Sequence, residues 1–204
     1  MIELSNVTKH FDNICALNRV SASFKEGAIS AITGTSGSGK STLVRIIGGI
    51  VRPDAGVVVV DDMPIFDNVV TLKRMFVLPE KPYCPSYESA AELADFYAHM
   101  YETFDVERMH ELAIAYSLPT DVPMRRMEPY ARNLMMLAIG ISAGTKYLVC
   151  DDLFTAMSDE MRSSARKMIV DALDSFGTTF VIALADTSVF GEVIDYTYEL
   201  EAFR

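Results

Sequence analysis

What this chain lacks narrows its options before any motif is read. Cys15, Cys84 and Cys150 are an odd number at unpaired spacings, which argues against a disulfide framework and against a thiolate metal site. His10, His99 and His110 are scattered over separate segments, so no zinc site is expected. No apolar run reaches the ~18 residues that a spanning helix requires. The opening residues, Met1-Ile2-Glu3-Leu4, carry neither a basic leader nor an apolar core, so no signal peptide is expected either. Basic charge is scarce. Against 28 Asp and Glu stand 18 Lys and Arg, a formal net charge of −10. No basic run exceeds Lys73-Arg74 or Arg125-Arg126, so no nucleic-acid partner is expected. These absences point to a cytoplasmic location.

What is present fits one well-cored domain of 204 residues, half of them hydrophobic. Short strands are predicted at 2–8, 15–24, 28–33, 57–60, 75–78 and 147–152, with another at 178–184. Helical spacing appears at 43–50, 88–101, 105–117 and 130–142, and again after Ser158, a natural N-cap. A closing hairpin is predicted at 193–200. Strands alternating with helices place the fold in the α/β class. The helices between about 86 and 130 suggest a small helical subdomain beside the core. Cys150, inside an apolar strand, reads as a buried small hydrophobe.

The most informative stretch is Gly34-Thr35-Ser36-Gly37-Ser38-Gly39-Lys40-Ser41-Thr42. It fits the phosphate-loop pattern, in which glycines let backbone N–H groups turn inward around phosphates. Lys40 is placed to reach the β- and γ-phosphates, and the Ser41 hydroxyl to ligate Mg²⁺. A predicted strand precedes the loop and a predicted helix follows it, the context the motif requires. Asp151 ends an apolar strand, where a carboxylate can hold Mg²⁺; the plainer reading is an ordinary strand-end acid. Asp152 beside it can orient or deprotonate an attacking water, or simply cap the next turn. Asp is one methylene shorter than Glu, and a misplacement of about 1 Å can lower rates about 100-fold.

The order of these segments resembles the nucleotide-binding domain of ABC transporters over nearly the whole chain. Ala16-Leu17-Asn18-Arg19-Val20-Ser21 before the loop and Leu43 to Gly56 after it carry the likeness, along with the loop itself. The resemblance implies a P-loop NTPase core of ABC type with an N-terminal antiparallel β subdomain. It also implies that Phe11 stacks on adenine, although a phenylalanine here can equally be a core residue. Where the family has a Gln that touches Mg²⁺, this chain has Glu80, a metal ligand or a solvent-facing loop acid. Where the family carries its glycine-containing signature, Met127-Glu128-Pro129-Tyr130-Ala131 stands. An ionised Glu128 cannot donate to a phosphate, and Pro129 lacks an N–H. The family's switch histidine is replaced by Ala185, and Ser158 and Leu153 depart from the usual Asp and Pro.

The resemblance therefore implies an ATP- and Mg²⁺-binding subunit of a membrane transport complex, with slow or partner-dependent hydrolysis. Its partners would be a second ABC ATPase domain, as homodimer or heterodimer, and a separate permease at the inner face of the membrane. Tyr83, Tyr87, Phe96 and Tyr97 are the candidate contact residues for that permease, although each can equally be a core residue. The alternative is a catalytically silent regulatory or scaffolding subunit that binds ATP without turnover. A small kinase or GTPase is a more distant reading, since no Asn-Lys-x-Asp run is present.

Overall fold

The computed structural model describes residues 1–80, 88–152, 154, 157–185 and 190–201. Strands β1 (Ile2–Phe11) and β2 (Ile14–Phe24) form a hairpin turning at Asp12, whose φ of 50° suits a short polar side chain. Along them Ile2, Leu4, Leu17, Val20 and Phe24 point into the core, and intervening polar residues face outward. Register shifts between Leu4 and Val7, with positive φ at Asn6 and Arg19, mark bulges that tighten the twist. β4 (Ala55–Val60) joins β1, and the two-residue β5 (Met63–Pro64) completes an antiparallel sheet of order β2-β1-β4-β5.

The second sheet is parallel. It contains β3 (Ile29–Thr33), β6 (Met75–Leu78), β7 (Tyr147–Asp151), β8 (Thr179–Ala183) and β9 (Tyr196–Glu199), in the order β6-β7-β8-β3-β9. Every residue of β7 and β8 is buried, as expected of central strands covered on both faces. One face meets the antiparallel sheet and α1 (Lys40–Ile47), through Ile32, Leu43, Ile46, Val149 and Val181. The other face carries α5 (Pro129–Ser142) and α6 (Asp159–Phe176), with α4 (Val106–Ala115) packed on α5 and α3 (Ala90–Met100) beside α4, while α2 (Val69–Leu72) is a single short turn. Leu93 of α3 and Met109 of α4 share one continuous core with Met135 of α5 and Phe180 of β8.

Helix ends are set by local chemistry. Ser89 and Glu92 form a reciprocal capping box on α3, and Asp105 accepts from the Arg108 N–H on α4. Ser158 accepts from the Met161 N–H at the start of α6, which ends on Gly177 at a left-handed φ of 67°. The hairpin predicted at 193–200 is not formed. Residues 191–193 make a 3-10 turn, and β9 alone pairs parallel with β3 at the sheet edge.

A charged cluster lies where the two sheets meet. Asp61, just past β4, accepts hydrogen bonds from Tyr147 Oη at 2.6 Å, Arg74 Nη1 at 2.9 Å and Lys146 Nζ at 3.0 Å. The Met1 amino group adds a fourth donor at 2.6 Å, and Lys146 also pairs with Glu26 at 2.7 Å.

Candidate functional site

β3 delivers the chain to residues 34–39 and α1 takes over at Lys40, so strand, loop and helix meet in the order the motif requires. Two glycines are indispensable for steric reasons. A Cβ on Gly34 would run into the Leu200 carbonyl oxygen and, at 2.6 Å, into Ser38 Oγ. A Cβ on Gly39, whose φ is 95°, would run into the Ala16 carbonyl oxygen. Gly37 has open space around it and needs glycine for its φ of 81° alone. Lys40 Nζ folds back over the loop and donates to the carbonyl oxygens of Gly34 at 2.7 Å and Thr35 at 2.9 Å.

A cleft of about 400 Å³ opens beside this loop. Ser36, Gly37, Gly39, Lys40, Ser41 and Thr42 form one wall, and Ile14, Cys15 and Ala16 of β2 another. Glu80, Asp151, Asp152 and Ala185 complete it. Ser38 is 2% exposed and packs behind the loop. Phe11 is 44% exposed, which removes the core reading for it; it pairs with Ile14 of the cleft wall but is not itself among the residues lining the cleft, and Lys9 Nζ lies 5.5 Å from its ring. His99 and His110 are not among the residues lining the cleft.

Ser41 Oγ donates to Asp151 Oδ1 at 3.0 Å, while Asp151 Oδ2 is buried with no hydrogen-bond partner. Burial pushes the Asp151 carboxyl above the usual carboxylate range; Glu80 and Asp152 push the same way, and Ser41 and Arg45 oppose them. A buried anionic oxygen without a donor is costly unless a cation meets it. Ser41, Asp151 and Glu80 present only oxygens, a donor set that fits Mg²⁺. Asp152 sits at a left-handed φ of 43°, its N–H donating to the Ala183 carbonyl at 3.1 Å.

The segment expected to carry the signature starts α5. Met127 is 6% exposed, Glu128 occupies the N-cap with no side-chain capping bond, and Pro129 is the first helical residue. Another groove, of about 280 Å³, lies between Gly48, Ile50, Leu72, Phe76, Tyr97 and Tyr101. Phe96 and Met100 of α3, and Val69 and Val70 of α2, are exposed on neighbouring turns. Tyr83, Tyr87 and Leu153 fall outside the described residues. Among those described, no helix is long and apolar enough to cross a membrane.

Sequence reasoning missed the place of Cys15 in the cleft wall. Its only signal is adjacency to Ala16, and nothing local shows that Ala16 backs onto Gly39.

Comparison with known proteins agrees with this geometry. A family model described as "ABC transporter" matches residues 17–155. The ABC transporter ATP-binding protein YtrB of Bacillus subtilis is 25% identical, over 89% of this chain and 62% of its own length. The Fe(3+) ions import ATP-binding protein FbpC 2 of Pectobacterium atrosepticum is 24% identical, over 100% of this chain and 60% of its own. The chain thus spans about 60% of the length of such relatives. The dimeric structure of MJ0796, a bacterial ABC transporter cassette, superposes with a TM-score of 0.85 at 24% identity, covering 100% of this chain and 97% of that one.

Proposed function

The chain belongs to the ABC transporter family, and we propose that it binds ATP with Mg²⁺ as the ATP-binding subunit of a membrane transport complex. The observation that carries this reading is the buried Asp151 oxygen without a donor, held beside Ser41 under the phosphate loop. Bound there, Mg²⁺ would neutralise charge on the β- and γ-phosphates. Lys40 would exchange its two carbonyl acceptors in the loop for phosphate oxygens. Backbone N–H groups at the start of α1 would face the same anion. Phe11 would stack on adenine, beyond Ile14 at the cleft mouth.

Turnover is a separate matter, and the residues present favour slow hydrolysis. Asp152 is the candidate base, but its carboxylate is one methylene shorter than glutamate. Ala185 brings a methyl group to the wall where the family resemblance calls for a histidine. Glu128 and Pro129 offer a partner's nucleotide a negative charge and one N–H fewer. That combination supports the second reading, a subunit that closes on ATP without turning it over. A second ATPase domain, alike or different, would face the cleft. A permease would dock at the groove lined by Tyr97, beside the exposed Phe96.

The test is Mg²⁺-dependent ATP binding by the purified chain, followed by phosphate release with and without its co-purifying partner. Absence of binding in both samples rejects the proposal. Turnover that needs the partner and disappears in Asp152→Asn identifies a working motor; binding with background turnover identifies the silent subunit.

A further inference from the structure

We propose that the pocket behind the phosphate loop is a ligand site of its own, one that takes a small zwitterion of the α-amino acid class and braces the loop from its rear. The pocket holds about 220 Å³ and shares only Ala16 with the lining of the cleft. Residues 16–20 of β2 form one wall, and residues 198–201, at the end of β9 and just past it, form the other. Ser38 is the loop residue that reaches it, and the Ser38 hydroxyl is buried with no hydrogen-bond partner. A buried hydroxyl in that state calls for a partner from outside the chain.

Charge indicates the partner. Arg19 lines one wall and Glu199 and Glu201 the other, and among the described residues none of the three forms an ion pair. The backbone under Arg19 is fixed at a left-handed φ of 49°, with its N–H donating to Thr8 Oγ1 at 3.0 Å. A guanidinium fork matches a carboxylate, and carboxylates match an ammonium. A simple anion would meet two acids here, and a simple cation would meet Arg19. A ligand carrying both groups a few bonds apart satisfies both walls at once. Drug-sized ligands fill pockets of about 300 Å³ and upward, so this volume excludes a nucleotide and admits a small amino acid.

The same walls carry the Ala16 and Leu200 carbonyl oxygens, against which Gly39 and Gly34 are packed. A ligand that ties Arg19 to Glu199 therefore ties together the two strands that hold the loop. Zwitterion and nucleotide should then each tighten the binding of the other, since linkage is reciprocal. That coupling rests on the ATP reading above; the pocket does not.

The test titrates L-alanine into the full chain without nucleotide, followed by amide chemical shifts, with propionate and ethylamine as probes of each charge alone. Wild type should bind L-alanine, with shifts centred on positions 16–20, 38 and 198–201. Propionate and ethylamine should bind at least about 10-fold more weakly, and Arg19→Gln should weaken L-alanine binding about 10- to 100-fold. Glu199→Gln, at an exposed strand end, should weaken it at least several-fold and decides the matter if Arg19→Gln does not fold. No L-alanine binding by wild type, equal binding of either single-charge probe, or unchanged affinity in the folded variants overturns the proposal. A fluorescent ATP analogue with Mg²⁺ then reads the coupling. Saturating L-alanine should tighten its binding at least about 5-fold in wild type and not in Arg19→Gln. No change in wild type overturns the coupling. If the analogue binds under neither condition, the ATP reading fails, while the alanine titration still decides the pocket.

Discussion

Asp61 and Asp151 are two little-exposed aspartates at strand ends in neighbouring sheets, and their surroundings treat them in opposite ways. Burial raises the carboxyl pKa of each. At Asp61 that push is outweighed by donors from the Met1 amino group, Tyr147, Lys146 and Arg74, which hold it far below the usual carboxylate range. At Asp151 one hydroxyl answers one oxygen, the other oxygen has nothing, and two further carboxylates stand nearby. The first acid spends its bonding capacity on joining β4 to β7 and to the residues before β6. The second keeps capacity in reserve, which stability alone gives no reason to do. An unsatisfied buried acid in a cleft is thus a sign of a ligand.

Removing the satisfied acid should have the largest effect. Asp61→Ala removes the acceptor shared by Tyr147, Arg74 and the Met1 amino group and leaves Lys146 with Glu26 alone; because those donors are partly exposed, it should lower the unfolding free energy by about 1–3 kcal/mol, read by urea denaturation. Asp151→Asn should leave that free energy unchanged or raised by up to about 1 kcal/mol. The same variant should weaken binding of Mg²⁺ with a nucleotide by at least about 10-fold in calorimetry. A large stability loss in Asp151→Asn would erase the distinction between the two sites.

Acidity sharpens the contrast. The folded pKa of Asp61 lies below its ordinary value of 3.8, so between the two the unfolded chain binds more protons and stability rises with pH. Its contribution is complete above that ordinary value and is lost as pH falls below it. For Asp151 the folded pKa lies above 3.8, so its penalty is absent below that value and grows as pH rises through the raised one. The stability gap between wild type and Asp61→Ala should therefore shrink in acid, and any gain in Asp151→Asn should vanish there.

The smallest expected effect concerns thiols. Cys15 is half-buried in the cleft wall, and bound nucleotide should slow its alkylation by a maleimide several-fold, mapped by mass spectrometry. Cys150 should not react with or without nucleotide, because burial and then Asp151 push its thiol pKa up.

The sequence showed the cleft better than the cluster, for a physical reason. The phosphate loop is one continuous stretch whose backbone demands are written in its glycines, and Asp151 is announced by the apolar strand it ends. The Asp61 cluster draws on Met1, Glu26, Asp61, Arg74, Lys146 and Tyr147, from five separated places, and only the fold brings them together. Short elements were also lost: Asn68 accepts from the Thr71 N–H and starts α2, a four-residue turn below the reach of periodicity. The predicted hairpin at 193–200 failed because Tyr196 to Glu199 alternates plausibly, while its partner β3 lies far away in sequence.

The loop's tight fit on Ala16 and Leu200 is made through their carbonyl oxygens. Every amino acid carries that atom, so a mutational scan should find positions 16 and 200 permissive to side chains that fit their space. Gly34 and Gly39, pressed against those oxygens, should accept nothing larger. Tolerance and intolerance would then face each other across a single van der Waals contact, with the backbone supplying the fixed side and the glycines the vulnerable one.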